Sequence, residues 1–193
     1  TMNRIGIIGA MEVEVETLKE HMMDVKLVKK ASMEFCCGKL NGKEAVVVRS
    51  GIGKVNAAVC TQILADDFQV EAVINTGVAG SLKAEINIGD IVVSTDALHH
   101  DMDAREFGYR RGQIPQMDVF SFEADARLRR TAAEACRRVN PEIQVLQGAG
   151  ISSPDDVYRT IFAGADATGS SSAICKAEQP GKMLKDIFRQ FNT

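Results

Sequence analysis

Three glycine-bearing stretches hold the residues best placed for chemistry: Gly9-Ala10-Met11-Glu12, Ser50-Gly51-Ile52-Gly53-Lys54 and Asn75-Thr76-Gly77-Val78-Ala79-Gly80. Each follows an apolar run that reads as a strand, and small residues there let backbone approach a ligand closely. One such loop is what any strand-to-helix turn needs; three together exceed that requirement. The first leads into Glu12, Glu14 and Glu16. Acids at a helix start interact favourably with the helix dipole, and this accounts for Glu12 and Glu16. Glu14 lies one turn in, where its carboxylate can face a neutral ligand. The same acids oppose a phosphate at this helix start. Ser50-Gly51-Ile52-Gly53-Lys54-Val55 is too short for a phosphate loop and has no Ser or Thr after the lysine, and Gly6-Ile7-Ile8-Gly9 lacks the third glycine of the dinucleotide fingerprint. The residues therefore point to a neutral ligand faced by the Glu14 carboxylate.

A second polar cluster is His99-His100-Asp101-Met102-Asp103. It offers metal-ligating types without the helical spacing or third ligand of a zinc enzyme, and a solvated loop explains it as well. Phe107-Gly108-Tyr109 and Gln113-Ile114-Pro115 follow, in a chain with eight Phe, two Tyr and no Trp. A loop so aromatic suits covering a ligand or a partner surface.

The elements that must position these residues alternate in type. Residues 4–9 read as a buried first strand, and residues 11–22 as a helix with Met11, Val15 and Leu18 on one face. Residues 35–40 and 43–49 flank Asn41-Gly42, a strong hairpin signal. A helix is expected over 55–66 with Val59, Ile63 and Leu64 apolar, buried strands over 71–75 and 90–94, and a long amphipathic helix over 122–139. A strand is expected from 145 to 148, a Gly/Ser/Ala-rich loop over 164–173 and a final helix over 181–191. Strands alternating with helices predict an α/β fold with a mixed sheet.

Composition narrows the partners. The 193 residues, 45% hydrophobic and 25% charged, suit one sizeable core, and the net charge of −3 gives no dense basic face for nucleic acid. No apolar run approaches the ~20 residues of a membrane span. The start at Met2-Asn3-Arg4-Ile5-Gly6 enters a strand pattern with no signal-peptide core. Five cysteines, an odd number without a CxxC pair, read as reduced thiols of a cytoplasmic protein. The expectation is no metal.

Taken in order, Ile5-Gly6-Ile7-Ile8-Gly9-Ala10-Met11-Glu12-Val13-Glu14-Val15, Ser50-Gly51-Ile52-Gly53-Lys54-Val55-Asn56-Ala57-Ala58, Ile74-Asn75-Thr76-Gly77-Val78-Ala79-Gly80, Gly89-Asp90-Ile91-Val92-Val93-Ser94, His100-Asp101, Phe107-Gly108-Tyr109 and Gly112-Gln113-Ile114-Pro115 resemble the bacterial 5'-methylthioadenosine/S-adenosylhomocysteine nucleosidases. The match in order and spacing runs from Met2 to about Gly148. The resemblance implies a three-layer α/β/α fold with a mixed central β-sheet, nucleoside phosphorylase-like. It implies hydrolysis of the N-glycosidic bond of thioadenosine nucleosides without cofactor or metal, in a homodimer. By the same resemblance Glu14 activates water for attack on the ribose C1'. Ala10, Met11 and Ile52 surround the ribose and alkylthio group, and Val78, Ala79 and Gly80 wall the base and ribose. Phe107 and Pro115 are lent to the neighbouring active site of a dimer.

The sequence departs from this family after Gly148. The family's Ser-Gly-Asp-x-Phe and Met-Glu-Met-Glu motifs, which stack on adenine and grip the ribose hydroxyls, are absent. Residues 154–166 overlay the family's later motif loosely: Arg159, read as substrate-binding, Ile161, Ala165 and Asp166 match, and the acid that protonates adenine N7 falls on Ala163. The expectation is one nucleosidase domain, 1–193, missing a segment after about residue 148. The alternatives are a catalytically impaired nucleoside-binding remnant and a purine nucleoside phosphorylase.

Overall fold

Isoleucines and valines at the centre of a sheet are buried from both sides, and two strands show it. β1 (Arg4–Gly9) is buried over its last residues, and β4 (Lys43–Arg49) buries Ala45, Val46, Val47 and Val48 in succession. The structure is a computed structural model that describes residues 3–80, 86–142, 145–148 and 167–169, with Lys182. It divides into two units, Thr1–Leu82 and Lys83–Thr193.

In the first unit β1 lies between β4 and β5 (Ala72–Asn75), parallel to both. Beyond β4, β3 (Met33–Leu40) and β2 (Met23–Lys30) continue the sheet antiparallel, in the order β2-β3-β4-β1-β5. The two faces carry separate clusters. Ile8, Met33, Phe35, Val46 and Val48 pack with Cys60, Ile63 and Leu64 of α2 (Lys54–Asp66). Ile7, Cys36, Ala45 and Val47 pack with Val15 and Met22, with Leu18 of α1 (Glu16–Glu20) alongside. The mixed sheet therefore has a helical layer on each face, as the expected architecture requires.

The helix expected over 11–22 is broken. A 3-10 turn, Glu12–Glu14, precedes the short α1, and Val15 between them has φ −126°. The break turns Val15 fully into the core and leaves Met11 exposed, so these two do not share a helical face. The eight-residue β2 lies where no strand was expected. It reaches β3 through Ala31 and Ser32, both at positive φ (48° and 62°), with Lys30 opposite Met33. The Asn41-Gly42 turn is as read, with φ 48° and 75°. In α2, Cys60 is buried and Val59 points outward. β5 is half-exposed rather than buried; among the described residues it pairs with β1 alone and forms an edge of the sheet.

In the second unit β6 (Ile91–Ser94), β9 (Val145–Gly148) and β10 (Ala167–Gly169) form a parallel sheet in the order β10-β9-β6. β6 is again an edge strand, which leaves Ile91 and Val92 partly exposed where a buried strand was expected. β10 falls inside the stretch read as a loop. The helix expected from 122 starts later. Phe122–Glu123 is instead β8, paired antiparallel with β7 (Asp96–Ala97). α3 (Ala126–Val139) begins where the Asp125 carboxylate accepts a hydrogen bond from the Leu128 N–H at 2.8 Å. Arg137 and Arg138 end it favourably for the dipole. Of the final helix expected over 181–191, only Lys182 is described, in helical conformation.

Candidate active site

The parallel trio β4-β1-β5 brings three C-terminal strand ends to one edge, and the three glycine-bearing stretches with them. The backbone ties them together: the Ser50 N–H donates to the Gly9 carbonyl at 2.9 Å and the Thr76 N–H to the Ile8 carbonyl at 2.9 Å. Ser50 is buried, and its hydroxyl donates to the Gly51 carbonyl at 2.9 Å, which satisfies it within the turn. Asn56 braces the same turn from α2, donating through Nδ2 to the Ile52 carbonyl at 2.8 Å.

Glu14 stands where the first and third stretches meet. Its Oε2 accepts the Met11 N–H at 2.9 Å and its Oε1 the Val78 N–H at 3.0 Å. A carboxylate accepting backbone amides is stabilised in its charged form. Its pKa accordingly lies below the ordinary glutamate value, first through the Met11 amide and then through that of Val78, against a smaller opposing effect of desolvation. Glu12, on the same turn, has other partners: Lys19 at 2.6 Å and Arg49 at 3.4 Å. The expected division of labour between these acids thus has a structural counterpart. Glu12 is engaged in surface ion pairs, while Glu14 spans two loops of the strand edge.

A carboxylate has about four acceptor sites, and two amides use two of them. What remains can take a water. Ala10, Met11, Ile52, Val78, Ala79 and Gly80 lie on the same three loops, with all but the half-buried Ala10 exposed. None of these six residues carries a charge, so they offer apolar contact and backbone groups. Sequence reasoning missed Gly77, whose importance arises from contact with a residue far away in the chain.

The aromatic loop belongs to the second unit and is organised by its own contacts. Arg105 grips Asp103 through two nitrogens at 2.8 and 2.7 Å, which holds the Asp103 carboxyl at about 2. The turn Arg105–Phe107 then closes on Gly108 at φ 84°. The Gln116 N–H donates to the Tyr109 hydroxyl, the Gly112 N–H to the Met102 carbonyl at 2.8 Å, and Arg110 lies 3.6 Å over the Phe120 ring. Phe107 is nonetheless 81% exposed, and Pro115 is half-buried. His99 and His100 each lie 4.0 Å from Asp101, and no group of three metal-capable side chains occurs among the described residues. Arg159 and Ala163 lie outside the described residues.

A cavity of about 280 Å³ opens at the other end of the first sheet, among Arg4, Asp24, Lys39, Glu44 and Phe68. Its charges are paired, Arg4 with Glu44 at 3.7 Å and Lys39 with Asp24 at 3.2 Å, and none of the strand-edge residues lines it.

Comparison with known proteins bears on the same residues. The sequence pattern of the phosphorylase superfamily matches residues 4–185. A 5'-methylthioadenosine/S-adenosylhomocysteine nucleosidase of Staphylococcus saprophyticus is 40% identical over 188 residues, covering 97% of this chain and 81% of the relative. The Neisseria meningitidis nucleosidase of the same name, solved with methylthio-immucillin-A, superposes with a TM-score of 0.70 at 34% identity, over 95% of this chain and 81% of that one. That of Colwellia psychrerythraea, solved with adenine, gives 0.67 at 33% identity, over 100% and 79%.

Proposed function

The chain belongs to the 5'-methylthioadenosine/S-adenosylhomocysteine nucleosidases of the phosphorylase superfamily, and from that premise we propose that it hydrolyses the N-glycosidic bond of these two nucleosides to adenine and the thioribose. The observation that carries the reading is Glu14, held ionised by the Met11 and Val78 amides at the strand edge. Cleavage develops positive charge at the ribose C1', and a fixed carboxylate nearby stabilises it. The same carboxylate takes a proton from water as its oxygen bonds to C1'. The bonding pair of the broken C1'–N9 bond leaves with adenine, which takes a proton from solvent water, since Ala163 at the matching position has none to give, and Glu14 returns the proton it took to solvent. Ala10, Met11 and Ile52 are assigned to the ribose and alkylthio group, and Val78, Ala79 and Gly80 to the base and ribose wall. Arg159 is assigned to substrate binding. Incubation with methylthioadenosine in phosphate-free buffer should release adenine. A strict phosphate requirement would favour the phosphorylase alternative. Nucleoside binding by calorimetry without any release would favour a remnant site.

The same reading extends to the assembly and the chain. It treats 1–193 as one nucleosidase domain that lacks a family segment after about residue 148. The chain's span of about four-fifths of its relatives agrees with this, as do the missing Ser-Gly-Asp-x-Phe and Met-Glu-Met-Glu motifs. It places the protein in the cytoplasm as a homodimer in which Phe107 and Pro115 serve the partner's site. Cys36, Cys37, Cys60 and Cys136 are free thiols, and no described helix is long and apolar enough to cross a membrane.

A further inference from the structure

Gly77 lies against the end of the Glu14 side chain. A Cβ built on it would fall against the Glu14 Oε1 and 2.7 Å from its Cδ, closer than such atoms can pack, and 3.1 Å from Oε2, a tight contact. We propose that Gly77 is a positioning residue, whose missing side chain leaves the space in which the Glu14 carboxylate bridges the Met11 and Val78 amides. Its catalytic consequence rests on the nucleosidase reading; the positioning itself does not.

The contrast with Gly9 shows why Gly77 is specific to the carboxylate. A Cβ at Gly9 would meet Val15 Cγ1 at 2.7 Å before it meets the Glu14 Cβ at 3.0 Å and Oε2 at 3.5 Å, and Val15 is fully buried, so a substitution there strikes the core first. At Gly77 every close atom belongs to the far end of one flexible side chain. The fold can yield by swinging Glu14 aside, which removes the carboxylate from the Val78 amide. The backbone at Gly77, φ 151°, adds a strain of its own to any larger residue. That strain does not depend on Glu14 and can be subtracted. The 75–80 stretch carries no titratable side chain, and Glu12 is paired with Lys19 and Arg49.

The test compares the parent with Gly77→Ala in three measurements. Carbon-13 NMR of the Glu14 carboxyl should show it titrating below the ordinary glutamate value in the parent and moving up toward it in the variant. With methylthioadenosine, kcat should fall about a hundredfold, the scale of a misplaced catalytic group, with KM little changed. Thermal stability should drop more in the parent than in a Glu14→Ala background, where the clash is absent. A Gly77→Ala protein that fails to fold alone but folds with Glu14→Ala supports the proposal. Failure in both backgrounds overturns it in favour of a backbone requirement. An unmoved Glu14 titration in folded Gly77→Ala also overturns it, whatever the rate. A parent that releases no adenine would sink the nucleosidase reading, while the titration and the stability comparison would still decide the positioning.

Discussion

Glu14 accepts two backbone amides, from Met11 three residues before it and from Val78 64 residues after it, and this gives its substitution a definite signature. Glu14→Gln keeps the shape of the side chain but removes the charge, and only one of its two end atoms can accept an amide proton. The side chain is half-exposed, so the fold should survive with little change in melting temperature. Turnover should fall by about 10²- to 10⁴-fold, the range for losing a general base, while nucleoside binding by calorimetry persists. Near-parental turnover would reduce Glu14 to a turn-stabilising charge. Its pH behaviour follows from the direction of its shift. The amides lower the folded-state pKa, so the carboxylate remains ionised, and its stabilising contacts remain intact, down to pH values below the ordinary glutamate range. Both are lost as pH falls through the depressed value. The acid limb of kcat/KM should accordingly lie below the ordinary glutamate pKa; a limb near neutral pH would assign it to another group.

Between elements, what the sequence shows depends on whether the controlling interaction is local. The Asn41-Gly42 hairpin was legible because both residues accept positive φ readily. The preceding hairpin was not, because Ala31 and Ser32 occupy the same conformation without its usual residues. Non-glycine residues in the left-handed region cost roughly 1–2 kcal/mol each, less for Asn, nothing for Gly. Ala31→Asn with Ser32→Gly should therefore stabilise the first unit by about 1 kcal/mol in denaturant titration, with an unchanged denaturant slope. A loss of stability would show that the Ala31 or Ser32 side chain makes a contact worth more than the strain. The break before α1 was hidden for a related reason: apolar spacing over 11–22 fits a helix, but burying Val15 beside β1 wins over helical continuity. The candidate acid was legible because glycine-bearing loops and strand ends are local patterns. Gly77's fit to Glu14 was not, since it exists only once β1 and β5 lie side by side.

At the scale of the whole molecule, the loop that carries Phe107 calls for a covering surface. Its backbone is fixed by the Asp103–Arg105 pair, the Gly112–Met102 hydrogen bond and the Arg110–Phe120 stack, so Phe107 is exposed on an ordered scaffold rather than on a collapsed one. Met117 and Val119 are exposed beside it in sequence. Exposed apolar groups gathered on one loop mark an association site more often than open surface. An isologous dimer would bury both copies of the loop at once. Because Phe107 is 81% exposed, Phe107→Asp removes little from the folded subunit but puts a charge into any interface that covers it. Sedimentation should show the parent as a dimer at micromolar concentration and the variant shifted toward monomer. If the loop also closes the partner's alkylthio pocket, methylthioadenosine affinity should weaken in the same variant, and more than for a nucleoside lacking the alkylthio group. A monomeric parent would refute the dimer. A variant that dimerises and binds as the parent does would place the contact elsewhere, on a surface that does not involve Phe107.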